Sequence, residues 1–294
     1  MPFNHGVQYQ VMKYDIFGTL LWIANEGNYG TMGYLRIGAA NVDNAGNLFF
    51  IANTDVGGFF TYAYSIAGDL LWRANRPNVS WLNIGRGLAL DSVNDVIVTG
   101  KAHDTYDYNS AYGTYKISRN GAYVWSNNYP NLPITTNSAI TIALDQRNNV
   151  YITGYSPGTN SGNDIVTIKY DNNGNQMWLQ RYNGAANGDD EANAIAVDAN
   201  GNVYVTGYET VAGGGTEMVT IKYAPGPLLQ KQSNGSFLLQ SSGSPGQTFG
   251  FQASTNLQTW QDLGTNSADT NGAVQFLDTN APLFPYRFYQ ANPQ

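Results

Sequence analysis

The sequence predicts an all-β protein, a β-propeller of four-stranded blades followed by a small β-sandwich. About four to five repeats are expected, with incomplete ones at the ends. Three observations carry this prediction. Two independent residue series recur with a period of about 50 over residues 8–223. Each period holds four short strand signals. The composition is also poor in the residues that usually fill exposed helix faces: of 294 residues only 12% are charged, about half the usual share.

The first series is aromatic. Trp22, Trp72, Trp125 and Trp178 are spaced by 50, 53 and 53 residues, and each follows a glycine by four positions, at Gly18, Gly68, Gly121 and Gly174. A strand-like segment lies just upstream of each. It is clearest in IVTIKYDNNGNQMW (165–178), with relatives at 10–22, 61–72 and 113–125 and a truncated fifth copy at 218–227. The second series is acidic. Asp43, Asp91, Asp145 and Asp198 close the segments that precede LFFIA, VIVTG, VYITG and VYVTG.

In the fourth repeat the strand signals fall near 164–170, 175–181, 192–198 and 202–207. Val166, Ile168 and Tyr170 alternate with Thr167 and Lys169, the period-two pattern of a strand with two distinct faces. DNNGN (171–175) and DANGN (198–202) suit tight hairpins, because Asp starts such turns and Gly accepts a positive φ cheaply. About 50 residues, four strands and aromatic landmarks describe one propeller blade.

The motif D-x-x-G-N-x-Y-V-T-G, followed by T-I-K-Y-D-x-x-G-x-x-x-W, resembles the SBBP-type bacterial β-propeller repeat and is similar to NHL repeats. The first two copies drift, with Ala52 at the terminal glycine position and Ala63 at the repeated lysine. The resemblance implies an inner strand of A-I-A-V-D type, then N-V-Y-V-T-G, then I-K-Y, with the tryptophan strand outermost. That phase gives two outer strands, three complete blades and three strands of a fifth. It leads to the expectation that Met1 is not the natural start, and that the chain is the C-terminal part of a longer secreted protein. The alternative is an open propeller that assembles with other chains.

APGP (224–227) marks a boundary between repeats at 1–223 and a module at 228–294. The module reads as strands at 236–242, 248–255, 259–265, 273–279 and 286–292, a β-sandwich of immunoglobulin or fibronectin character. FQASTNLQTWQDLG and FLDTNAPLFPYRFYQA resemble C-terminal modules of large secreted bacterial proteins. Trp260, Phe276, Asp278, Pro285, Arg287 and Tyr289 are expected to be structural.

The charge balance excludes several functions. Lys plus Arg is 14 against 21 for Asp plus Glu, a net charge of −7, which argues against nucleic acid. No run of about 18 apolar residues occurs to insert in a membrane, and the first 15 residues lack the pattern of a secretion signal. With no cysteine and only His5 and His103, no catalytic triad, cofactor motif or metal site is marked. The DNNGN and DANGN turns place oxygens at alternate positions but lack the remaining ligands of a calcium loop. Lys13, Lys116, Lys169 and Lys222 share one repeated position, where their stems are expected to pack between blades while the ammoniums meet a repeated carboxylate such as Asp145 or Asp198.

Strand alternation collects the long connections on one face, and loops on a rigid scaffold are where binding usually lives. Two clusters stand out there: Asp104, Tyr106, Asp107 and Tyr108, and Asp189, Asp190 and Glu191 of GDDEA. Carboxylates accept sugar hydroxyls and aromatic rings stack on sugars, so glycan binding is chemically open to both. GDDEA also belongs to the repeat pattern, which favours a turn or cap role. The expected function is a non-catalytic, extracellular or cell-surface scaffold with protein or glycan partners, its location implied by the resemblance. The alternatives are a propeller lyase or glycoside-active hydrolase with an acidic site, and self-association through open blades.

Overall fold

A computed structural model describes residues 9–26, 35–54, 58–75, 84–103, 110–129, 137–223, 228–242, 246–270 and 273–294. The first sheet holds two antiparallel strands, β1 (Tyr9–Tyr14) and β2 (Leu20–Glu26). Three four-stranded meanders follow. They comprise β3 (Leu35–Val42), β4 (Leu48–Thr54), β5 (Phe59–Tyr64) and β6 (Leu70–Asn75); then β7 (Ile84–Leu90), β8 (Val96–His103), β9 (Ser110–Ile117) and β10 (Tyr123–Tyr129); then β11 (Ser138–Leu144), β12 (Val150–Pro157), β13 (Asn163–Tyr170) and β14 (Gln176–Tyr182). A three-stranded sheet of β15 (Glu191–Val197), β16 (Val203–Thr210) and β17 (Thr216–Tyr223) ends the array. The sheets therefore hold two, four, four, four and three strands, the phase expected from the motif order.

Most short hairpins are built by their first aspartate, with Ser65 and Ser118 in that place in two of them. Asp145 Oδ1 accepts the amides of Arg147 and Asn149, Oδ2 accepts Asn149 Nδ2, and the Asn148 amide closes on the Asp145 carbonyl. Asp43, Asp171 and Asp198 repeat the same set of bonds with their own turns. These carboxylates are thus engaged by turn amides.

The tryptophan–glycine landmark works between sheets. Trp22 Nε1 donates to the Ile66 carbonyl at 3.0 Å, Trp72 to Arg119 at 2.7 Å and Trp125 to Asn172 at 3.0 Å. Each acceptor lies two residues before the glycine of the following blade. Those glycines, Gly68, Gly121 and Gly174, have φ of 94°, 85° and 85°, and a Cβ on them would come within 2.8, 3.0 and 2.7 Å of the tryptophan of the preceding sheet. One residue type meets two demands here: a left-handed turn and a flat surface for a ring. Apolar cores fill the spaces between sheets. One joins Phe49, Ile51, Phe59 and Ala63 to Leu88, Val98, Tyr115 and Ile117. Another gathers Ile97, Tyr112, Val150, Ile152, Val166, Ile168 and Tyr170.

The repeated lysines do not all behave as expected. Lys116 pairs with the repeated Asp91 at 2.8 Å and lies 3.4 Å from Asp95, all largely buried. Lys13 instead donates to the Ile66 carbonyl. Lys169 and Lys222 lie over the rings of Tyr151 and Tyr204, at 5.0 and 5.4 Å. The hydroxyls of those tyrosines donate to Asp145 and Asp198. The cause is the residue six positions after each aspartate. Where it is tyrosine, its hydroxyl takes the carboxylate and the ammonium settles on the ring. Where it is Ile97, no hydroxyl is available and Lys116 reaches the acid directly.

Two compact units partition the chain: Met1–Ala196 with Val205–Ile221, and Val197–Tyr204 with Lys222–Gln294. Within the second unit, β18 (Leu228–Lys231), β19 (Phe237–Ser242) and β22 (Ala273–Asp278) form one sheet; β20 (Thr248–Ser254), β21 (Gln261–Ser267) and β23 (Phe288–Pro293) form another. Leu239 and Val274 of the first share a core with Phe249, Phe251 and Ala291 of the second, the arrangement of a small sandwich. Of the residues expected to be structural, Asp278 accepts from Arg287 at 2.6 Å and from the Tyr289 hydroxyl at 2.9 Å, Phe276 stacks on Phe251 at 5.1 Å, and Trp260 is half-buried.

Candidate functional site

The hairpins at 15–19, 43–47, 65–69, 91–95, 118–122, 145–149 and 171–175 occupy one end of the strands, and the longer connections occupy the other. At that second end the fully described connections are those between β12 and β13, β14 and β15, and β16 and β17. They converge on Asp189, Asp190 and Glu191.

Asp190 is fully buried. Its Oδ2 accepts the Gly184 amide at 2.5 Å and its Oδ1 the Thr210 amide at 3.0 Å, while its own amide donates to the Asn163 carbonyl at 2.6 Å. One residue therefore ties three connections together, two through its carboxylate and one through its backbone amide. Asp189 is exposed; its Oδ1 accepts the Asn163 amide at 2.8 Å and its carbonyl accepts the Thr210 hydroxyl at 2.7 Å. Glu191 is half-buried and accepts from Asn163 Nδ2 at 3.2 Å. The backbone passes close to these acids: a Cβ on Gly162 would lie 2.4 Å from Asp189 Oδ1.

The phenols around the cluster respond to its charge. The Tyr208 hydroxyl is pushed up to about 12, first by burial and then by the neighbouring Glu191 carboxylate, to which it is hydrogen-bonded. Tyr182 rises to about 12 because it donates to Glu209 Oε2 at 2.6 Å, with burial adding to the effect. Both remain protonated hydroxyl donors at neutral pH. Beside them, Arg181 Nη1 meets the buried Asp164 at 2.7 Å and the Ser156 carbonyl at 2.9 Å; Nη2 meets Ser156 Oγ at 3.0 Å. Ser161 Oγ donates to the other Asp164 oxygen at 2.7 Å. This guanidinium fixes the β12–β13 connection against β14.

The GDDEA cluster is thus brought together, with unequal exposure of its members. Asp104, Tyr106, Asp107 and Tyr108 lie outside the described residues. Sequence reasoning missed Asp164, Arg181, Glu209 and Thr210. An arginine three residues after the tryptophan occurs only in the fourth repeat, so periodicity gives it no weight. Asp190 did have a signal: it lies eight residues before Asp198, as Asn137 does before Asp145. Asn137 is also fully buried, and its Nδ2 donates to the Ser110 carbonyl at 2.6 Å. Ser110 and Asn163 occupy equivalent places, and both carbonyls are bonded across a blade seam, by the Asn137 side chain and by the Asp190 backbone amide. Among the described residues no three His, Asp or Glu side chains converge as a ligand set for a metal ion.

Residues 180–208 match the beta-propeller repeat family model named SBBP. No curated protein matches the chain. Among solved structures, the chain is similar to a protein of unknown function from Bacteroides caccae, with 11% identity, a TM-score of 0.40, and coverage of 94% of this chain and 92% of that one. It is also similar to PorZ of Porphyromonas gingivalis, described as an essential bacterial surface component of the type-IX secretion system, with 11% identity and a TM-score of 0.35. That match covers 94% of this chain and 48% of PorZ. The family match covers the junction from the fourth sheet into the fifth and includes the whole GDDEA cluster; it assigns a β-propeller repeat to this part of the chain.

Proposed function

We propose that this protein is a non-catalytic scaffold of the cell exterior that uses the long-connection end of its blades to bind a protein or glycan. The observation that carries the reading is the pairing of one exposed and one half-buried acid with protonated phenols on a braced surface. Asp189 and Glu191 offer acceptor oxygens; Tyr208 offers an aromatic face and a hydroxyl; Asp190, Arg181 and Asp164 hold the loops beneath them. Such a surface suits a neutral, hydroxyl-rich ligand, whose O–H groups donate to the carboxylates and whose apolar faces stack on the ring. The acids repel anionic ligands. Placement outside the cell rests on the resemblance to secreted bacterial repeat proteins, and residues 228–294 act in this reading as a spacer or second contact module.

The test is a glycan array, with a parallel cross-linking screen against bacterial surface proteins, using wild type and the Asp189→Asn, Glu191→Gln double variant. Wild type is expected to retain a hydroxyl-rich glycan or a protein partner, and the double variant to lose about tenfold in affinity, as expected for two charge-assisted hydrogen bonds. Equal binding by both proteins would remove this surface from the proposal.

A further inference from the structure

An asparagine followed by glycine is a step at which a protein chain readily attacks itself. The glycine has no side chain to keep its amide nitrogen from the asparagine Cγ. The sequence holds seven such steps, at Asn120, Asn173, Asn183, Asn187, Asn200, Asn234 and Asn271. The last lies outside the described residues. The reaction begins when the glycine amide loses its proton. An amide held by an acceptor is protected until that bond opens, as it is in hydrogen exchange.

Five of the six described steps are held in this way. The amides of Gly121, Gly174, Gly201 and Gly235 donate to the carbonyls of Ser118, Asp171, Asp198 and Gln232, at 2.8, 3.0, 3.0 and 2.9 Å, each closing its own turn. The Gly184 amide donates to the buried Asp190 carboxylate. Gly188 is the exception, because its amide donates to no acceptor among the described residues.

The surroundings of Asn187 favour the same step. Its side chain is exposed, and its φ of 54° is a left-handed conformation that asparagine tolerates. Asn183 Nδ2 donates to Asn187 Oδ1 at 2.8 Å, so the oxygen that gains charge as nitrogen adds already has a donor. The Gly162 amide donates to the Asn187 carbonyl at 3.1 Å, and that oxygen shares the charge of the deprotonated Asn187–Gly188 peptide.

We infer that Asn187 is the site, among the six described steps, at which this chain spontaneously forms a succinimide and then isoaspartate or aspartate. The Gly188 nitrogen bonds to Asn187 Cγ, the Cγ–Nδ2 bond breaks, and ammonia leaves with the proton. Water then opens the five-membered ring, at one carbonyl to give aspartate and at the other to give isoaspartate. Either product adds a negative charge two residues before Asp189. Isoaspartate also reroutes the main chain through Cβ and Cγ, which moves Gly188 off the carbonyl that Gly162 holds. The tie between the β12–β13 connection and the GDDEA segment is thereby loosened. The chemistry needs no ligand and is independent of the binding role proposed above.

The test is to age the purified protein in mildly alkaline buffer, folded and in urea. Its peptides are scored by mass for exchange of NH for O, and by electron-transfer fragmentation for isoaspartate. In the folded protein Asn187 is expected to convert about tenfold faster than Asn120, Asn173, Asn183, Asn200 or Asn234, the margin set by one net hydrogen bond. In urea the six steps are expected to converge. Asp190→Ala, which removes the acceptor of the Gly184 amide, is expected to bring the rate at Asn183 up toward that at Asn187. A lead for Asn187 that persists undiminished in urea would assign it to local sequence and overturn the structural cause. An Asn183 that does not respond to Asp190→Ala would likewise deny that the acceptor controls the rate. A folded rate at Asn187 no greater than at the hairpin steps would overturn the inference itself, showing that the Gly162 bond holds the peptide away from ring closure.

Discussion

Thr61 shows how much a single repeat substitution changes. In later sheets the equivalent threonine pairs with a threonine on strand two: Thr114 with Thr99 at 3.1 Å and Thr167 with Thr153 at 3.0 Å. In the second sheet that partner is Ile51, and the buried Thr61 Oγ1 finds no partner among the described residues. Thr61→Val is therefore expected to raise stability by about 1 kcal/mol, while Thr114→Val lowers it, because a buried hydroxyl without a partner costs more than a methyl. Urea unfolding of the two variants checks this, and equal losses in both would defeat it. Lys116 is the opposite case, since it neutralises two buried or part-buried acids. Lys116→Met is expected to cost about 3 kcal/mol, because Asp91 is left buried and unpaired. Lys13→Met, which loses only a bond to a carbonyl, is expected to cost less than about 1 kcal/mol.

At the scale of the element, the hairpin glycine separates turn strain from packing. Gly18 and Gly121 have φ of 82° and 85°, but a Cβ on Gly18 meets nothing within 4 Å, whereas one on Gly121 presses on Trp72. Gly18→Ala is expected to cost about 1 kcal/mol from the left-handed backbone alone, and Gly121→Ala measurably more. Matching losses in thermal melting temperature would show that the tryptophan yields freely. The turn aspartates set an acid limit. At Asp198, burial pushes the carboxyl up, but hydrogen bonds from Asn202, Tyr204 and Asn200 outweigh it and hold the group below its ordinary value; Asp171 is held down in the same way by its own turn. A carboxylate with a depressed folded pKa stabilises the fold above its unfolded value, near pH 4, and loses that contribution as pH falls through the folded value. The gap in melting temperature between wild type and Asp171→Ala should therefore be full at pH 6 and shrink below about pH 4. These elements were legible because aspartate, glycine and tryptophan each meet a local physical demand at a fixed spacing. The lysine contacts were not, since they depend on whether a neighbouring strand presents Tyr151 or Ile97, a choice outside the lysine's own repeat pattern.

At the scale of the molecule, stability is shared among seams, as in other repeat architectures in which each unit contacts its neighbours. The seam at Asp190 gathers two connections with one carboxylate and a third with its backbone amide. Asp190→Ala is expected to cost about 2 kcal/mol, by leaving the amides of Gly184 and Thr210 without acceptors. It should also speed hydrogen exchange at 183–190 and 209–210 while sparing the hairpin at 145–149; uniform acceleration would deny the local role. The position of this site at the long-connection end could be read from strand alternation, as could the gathering of Asp189, Asp190 and Glu191. Their unequal exposure could not, because three adjacent acids look alike until the backbone turns one inward. The Arg181–Asp164 brace was hidden for a different reason: it occurs once, and periodicity reveals only what recurs.

The tryptophan bond has a genetic consequence. Trp22, Trp72 and Trp125 each belong to one sheet and their acceptors to the next, so a segment of one period between them carries two complementary half-joints. Removing residues 121–173 and fusing Asn120 to Gly174 leaves Arg119 as the acceptor for Trp72 and Gly174 as the surface beneath its ring. Such a chain is one blade shorter with each remaining tryptophan joint of this kind complete. Unequal recombination within the gene would thus lengthen or shorten the array while keeping its tryptophan joints matched.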